Sequence, residues 1–168
     1  MAEAMTRDAI ALLKEDHREV QKLFSEFEKA KGVGAKENLA RRLCLELSVH
    51  MMIEEEIFYP ASEGKIDEDL LKEAYVEHDS AKLLIAEIEA ATGKSDDFFD
   101  AKVQVLSEQI DHHVKEEEGD LFPQVRKADL DLAALGERLA SRKSELLGKF
   151  KKSELPEPEL KTMDEVSI

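Results

Sequence analysis

The chain has no tryptophan, a single cysteine, and only seven glycines and four prolines in 168 residues. A lone Cys44 excludes an internal disulfide. So few glycines and prolines, with aromatics at 5%, argue against a turn-rich β architecture. No apolar run approaches the roughly 18 residues a membrane span requires. The opening MAEAMTRDAI lacks the apolar segment of a signal peptide, so a cytoplasmic protein is expected. Basic residues are also scarce: 24 against 39 acids, a net charge of −15. Such a surface repels phosphate backbones and anionic headgroups, which sets aside nucleic acid and membranes as partners. What remains is 42% hydrophobic and 38% charged, enough for one domain built from amphipathic helices.

Apolar periodicity predicts five helices. The first runs from Arg7 to Lys31, with the stripe Ile10, Leu13, Val20, Phe24, Phe27. The second spans Lys36 to Glu56 and ends before Pro60. The third covers Asp67 to Ala91 and closes at Gly93. The fourth starts near Asp96, capped by Ser95, and breaks around Gly119 before Pro123. Short connections make these an all-α, up-down antiparallel four-helix bundle over residues 1–128. A fifth helix falls within residues 129–152, packing outside the bundle or meeting a protein partner. Residues 153–168, with Pro156 and Pro158, are expected to form a mobile tail.

Each bundle helix has one intruder in its apolar stripe, and each time it is a histidine. Ile10, Leu13, His17, Val20 keeps core spacing, as does Leu71, Ala74, His78, Ala81. In the second helix Leu43 and Leu47 lead to His50 and then Glu54. In the fourth, Leu106 and Ile110 lead to His113 and then Glu117. One inward histidine is ordinarily a satisfied core residue. Four of them, joined by two inward carboxylates, demand cations, because an unpaired buried carboxylate costs several kcal/mol.

The pattern is also duplicated. His17/His78, Val20/Ala81 and Phe24/Ile85 share an offset of 61; His50/His113, Glu54/Glu117 and Pro60/Pro123 share an offset of 63. Two hairpins related by a pseudo-twofold axis then bring equivalent half-sites face to face. Within DHHVKEEEGDLFP, the proline alignment and the stripe select His113 and Glu117 as the inward pair, leaving His112 and Glu116 on a wet shoulder beside it.

This His…His-x-x-x-Glu…His…His-x-x-x-Glu arrangement, from Ala9 to Arg126, resembles the hemerythrin-like family of HHE cation-binding domains. The resemblance implies two iron ions under an oxo or hydroxo bridge. Carried over by motif, His17 and His50 bind one, His78 and His113 the other, and Glu54 and Glu117 bridge both. No catalytic residue apart from the metal ligands is implied. The implied partner is a small diatomic or peroxide: O2, NO or H2O2.

The chain departs from the oxygen-carrying members, which have a second histidine one turn from the first on the third helix. Here those positions are Ala74 and Lys82. Those members also carry an aspartate five residues after the fourth-helix histidine, where this chain has Glu118, with Glu117 at four. An incompletely filled shell points to turnover, as in a peroxide-consuming oxidoreductase of catalase type. The alternatives are an O2 or NO sensor, or an iron-handling protein like the iron–sulfur repair proteins. Tyr75, one turn before His78, is a candidate extra ligand. Glu55 and Glu118, rotated off the stripe, are expected behind the ligands or at the surface. Cys44 is expected to be a small buried apolar residue.

Overall fold

A computed structural model describes residues 8–92, 96–151 and 154–163, and every regular element in them is helical. Helix α1 is Ala9–Lys29, α2 Val33–Ile53, α4 Glu68–Ala91 and α5 Phe99–Glu116, and together they form an antiparallel four-helix bundle. Helix α7, Leu132–Phe150, packs across α1 and α2. Short polar side chains define several starts. Asp8 accepts from the Ala11 amide at 2.8 Å, Asp67 from Asp69 at 2.8 Å, and Asp131 from Ala134 at 3.0 Å. The Ser95 cap and the Gly93 stop fall outside the described residues. At the start of α5, Asp96 accepts from the Phe98 amide at 2.9 Å.

The prolines do not end their helices, contrary to expectation. After Ile53 the chain widens into a π turn, Glu54–Phe58, and continues as α3, Tyr59–Ser62, which contains Pro60. After Glu116 the same happens: a π turn, Glu117–Leu121, leads into α6, Phe122–Lys127, with Pro123. Gly119 lies inside that second π turn, so it is no break either. A π turn inserts one residue and shifts the amide pairing, so a residue without an N–H just past it interrupts little. Both π turns begin at the inward glutamates.

The histidines form a polar layer between two hydrophobic cores. On one side pack Ile10, Leu13, Phe58, Phe122 and Val125, joined by Leu135, Leu139 and Leu146 of α7. On the other lie Val20, Leu23, Leu43, Leu47, Ile85 and Leu106. Cys44 is in this second core, and burial with Glu89 nearby pushes its thiol well up, so it stays protonated. Among the described residues no helix is long and apolar enough to cross a membrane.

Residues 154–163, from the segment expected to be mobile, lie along α4. Asp79, fully buried, accepts from the Lys161 amide at 3.0 Å and the Thr162 amide at 2.7 Å, and from the Thr162 hydroxyl at 2.6 Å. Lys82 ties the same strap by donating to the Glu159 carbonyl at 2.8 Å.

Candidate metal centre

Helix register aims His17, His50, His78 and His113 into the middle layer, each at most 6% exposed. The two π turns deliver Glu54 and Glu117, 0% and 2% exposed. His50 Nε2 lies 3.0 Å from Glu54 Oε1, and His78 Nε2 lies 3.2 Å from that same oxygen. Glu117 reaches both ways, with Oε1 3.0 Å from His17 Nε2 and Oε2 3.2 Å from His113 Nε2. The atoms form two overlapping sets, His17–His50–Glu54–Glu117 and Glu54–His78–His113–Glu117, each within 4.8 Å. Both carboxylates belong to both sets.

Each of the four inner histidines is oriented from behind by one carboxylate. His17 Nδ1 meets Glu118 at 2.6 Å, His50 Nδ1 meets Asp16 at 2.9 Å, His78 Nδ1 meets Glu55 at 2.7 Å, and His113 Nδ1 meets Glu77 at 2.8 Å. A carboxylate only accepts, so Nδ1 carries the hydrogen and Nε2 presents its lone pair inward. The pseudo-twofold extends to this layer: Glu118 corresponds to Glu55 and Asp16 to Glu77, at the offsets of the inner residues. Three of the four carboxylates are backed by a fixed cation. Arg18 pairs with Glu118, Lys143 of α7 with Asp16, and Lys82 with Glu55 at 2.9 Å.

Inside, lone pair faces lone pair. His17 Nε2, His50 Nε2, His113 Nε2, both Glu54 oxygens and Glu117 Oε1 are buried without a hydrogen-bond partner. Only a cation between them resolves that conflict, and without a metal a proton takes the place. Burial opposes charging His50, yet Glu54 and Asp16 outweigh it and hold its pKa well above the ordinary value. His113 is likewise pushed up to about 10 against its own burial, chiefly by Glu117. Burial would raise Glu117, but His113 and His17 hold it well below the usual range. Separations of 3.0–3.2 Å between donor atoms match neighbouring ligands around a first-row cation at about 2.1 Å. The donor set of imidazole and carboxylate suits iron, manganese or zinc.

Three side chains of the site were not singled out by the sequence: Asp16 and Glu77 behind the histidines, and Tyr59 inside. Tyr59, fully buried, donates its hydroxyl to Glu117 Oε2 at 2.5 Å and stands 3.2 Å from His78 Nε2. Burial, then Glu117 and Glu54, push its phenol well up, so it keeps its proton here. On a straight helix nine residues turn about 900°, which sets Tyr59 opposite His50. The π turn absorbs one residue and swings it inward. The available signal was the repeat itself, since Tyr59 matches Phe122, which stacks on His17 with centroids 5.8 Å apart. The two half-sites therefore differ by one phenol oxygen. Tyr75 is partly buried and packs edge-on against Tyr59 at 5.1 Å. His112 is 66% exposed and paired with Glu116 at 3.2 Å, outside the inner sets.

Two adjacent positions, two imidazoles each, and two shared carboxylates inside a helical bundle define a carboxylate-rich metal-binding bundle. The chain belongs to the hemerythrin family: residues 8–125 match the hemerythrin HHE cation binding domain. It is similar to the crystal structure of an HHE cation binding domain-containing protein from Mycobacterium kansasii, a homolog of Rv2633c. That match has a TM-score of 0.74 and 26% identity, and covers 87% of this chain and 91% of that one. It is also 28% identical over 115 residues to a protein of Nostoc sp. strain PCC 7120 called DNA nickase. The match takes in 68% of this chain but only 32% of that protein, so the chain spans about a third of that relative.

The carboxylates behind the histidines matter for metal affinity. Asp16→Ala removes the acceptor that fixes the His50 tautomer and leaves Lys143 without its partner. Metal affinity is expected to fall by about 10–100-fold, read by competition with a chromogenic chelator. Affinity equal to that of the parent would mean Asp16 does not orient His50.

Proposed function

We propose that the two sets hold two iron ions, His17 and His50 on one, His78 and His113 on the other, with Glu54 and Glu117 shared. The observation that carries this is the sharing itself: each glutamate approaches a histidine of both sets. Four imidazole nitrogens and two carboxylates would supply about eight donor contacts, fewer than two six-coordinate ions would take, which would leave room for a small ligand. Iron, when bound, supplies redox change and an attachment point for O2, H2O2 or NO.

The protein's own residues set the conditions. The outer carboxylates hold each Nε2 lone pair in place, and the two apolar cores keep bulk water from the layer. Without metal, Tyr59 holds a proton between Glu117 and His78. Its phenol oxygen is also the extra donor best placed on the His78 side. Tyr75 is the weaker choice, standing behind it.

This supports small-ligand redox chemistry, with peroxide decomposition as the favoured reaction. Sensing or iron handling is the second reading, favoured by α7, whose Lys143 reaches Asp16, and by the strap, which holds Lys82 beside Glu55. The nickase activity named for the Nostoc protein is not carried over. A net charge of −15 opposes docking on a phosphate backbone. Stopped-flow spectroscopy of the reduced protein with O2, then H2O2, separates the outcomes. Oxygen evolved over many turnovers supports the enzyme. A stable reversible spectrum with O2 supports carriage or sensing. Loss of iron without either supports iron handling.

A further inference from the structure

Of the four carboxylates behind the histidines, Glu77 is arranged differently. Arg18, Lys143 and Lys82 back the other three. Among the described residues no ammonium or guanidinium backs Glu77. Its Oε1 holds His113, while Oε2 faces outward, 3.4 Å from His112 Nε2. His112 Nε2 also lies 3.2 Å from Glu116 Oε1, one turn along α5. Three donor atoms, one each from Glu77, His112 and Glu116, thus gather within 4.8 Å at the surface.

The pseudo-twofold shows what this arrangement replaces. Glu77 corresponds to Asp16, His112 to Val49 and Glu116 to Ile53. Val49 and Ile53 are both fully buried, in the core that α7 completes, and the outward oxygen of Asp16 takes the Lys143 ammonium of α7. On the Glu77 side no helix among the described residues lies over the equivalent face. The apolar pair is replaced by an imidazole and a carboxylate, and the place of the ammonium is left to solvent.

We propose that His112 Nε2, Glu116 and Glu77 Oε2 form a second, exposed site for a divalent first-row cation, which backs Glu77 as Lys143 backs Asp16. The geometry suits it. Separations of 3.2 and 3.4 Å from His112 Nε2 are those of neighbouring ligands around a cation at about 2.1 Å. One imidazole with two carboxylates selects borderline cations over magnesium or calcium. Two carboxylates facing one imidazole edge offer the mixed oxygen and nitrogen donors that such a dication takes. Three protein donors leave the remaining positions to water, so the site exchanges freely. It does not depend on which ion fills the buried positions, but it shares Glu77 with His113 and so touches that side of the centre.

His112 makes the test clean. The chain has five histidines, and the other four are at most 6% exposed. Tag-free, metal-loaded protein is titrated with Zn2+ by calorimetry, and both metals are quantified after desalting. The expected result is one zinc per chain beyond the buried metal. Its affinity is expected to fall by about 10-fold or more in His112→Ala and in Glu116→Gln, with the buried content unchanged in both. A shift of the His112 ring resonances at one equivalent would place the ion directly. Absence of extra zinc in the parent, or equal uptake by parent and His112→Ala, overturns the proposal. The second outcome would assign the uptake to the general acidic surface.

Discussion

Glu117→Ala is expected to leave at most one metal ion per chain, against two expected in the parent. Glu117 gives Oε1 to the His17 side and Oε2 to the His113 side, so its removal takes a donor from both positions at once. It also removes one of the two carboxylates that would lie between the two proposed dications. At about 3.5 Å and an effective dielectric of about 20, their mutual repulsion is on the order of 20 kcal/mol. The dinuclear state therefore suffers more than either single ion does. Glu54→Ala should behave alike, since Glu54 Oε1 stands within 3.2 Å of both His50 and His78. Metal analysis after gel filtration, with circular dichroism confirming the helices, gives the answer. Two ions retained in either variant would remove the bridging role. His112→Ala serves as the control, with buried metal content expected to stay at the parent value.

The second large effect concerns the phenol. The iron-loaded protein is expected to show a visible phenolate-to-metal absorption that Tyr59→Phe abolishes and Tyr75→Phe keeps. Without metal, burial and three glutamates hold the Tyr59 proton in place. A cation at that position reverses the local field and favours the phenolate. Tyr75 is only partly buried and meets the cluster through the ring of Tyr59. In the metal-free protein Tyr59→Phe also deprives Glu117 of a buried donor, which should lower stability by about 1–3 kcal/mol. Absorption retained in Tyr59→Phe but lost in Tyr75→Phe would reverse the assignment of the two tyrosines.

The inner histidines and glutamates were legible because helical register is a local property. A residue three or four positions from a core leucine faces the core whatever surrounds it, and the 61 and 63 offsets repeated the message. The choice of His113 over His112 followed from the stripe of Leu106 and Ile110 together with the Pro60/Pro123 alignment. Prolines were misleading for the opposite reason. Pro60 and Pro123 look like stops, yet a widened turn carries the helix past each, and that turn forms where Glu54 and Glu117 meet histidines of other helices. Tyr59 was hidden by the same turn, because counting residues on an unbroken helix points it outward.

The sequence by itself determined the helical class, the two hairpins and the six inner side chains, since each rests on spacing within one helix. Only the tertiary structure decided the pairing behind each histidine. Asp16 with His50, Glu77 with His113, and the strap on Asp79 join residues 34 to 83 positions apart. No periodicity reports which carboxylate will meet which imidazole across a helix interface, nor that Lys143 of the fifth helix will back one of them. Those contacts depend on the rotation and stagger of neighbouring helices, which are settled when the two apolar cores pack around the polar layer.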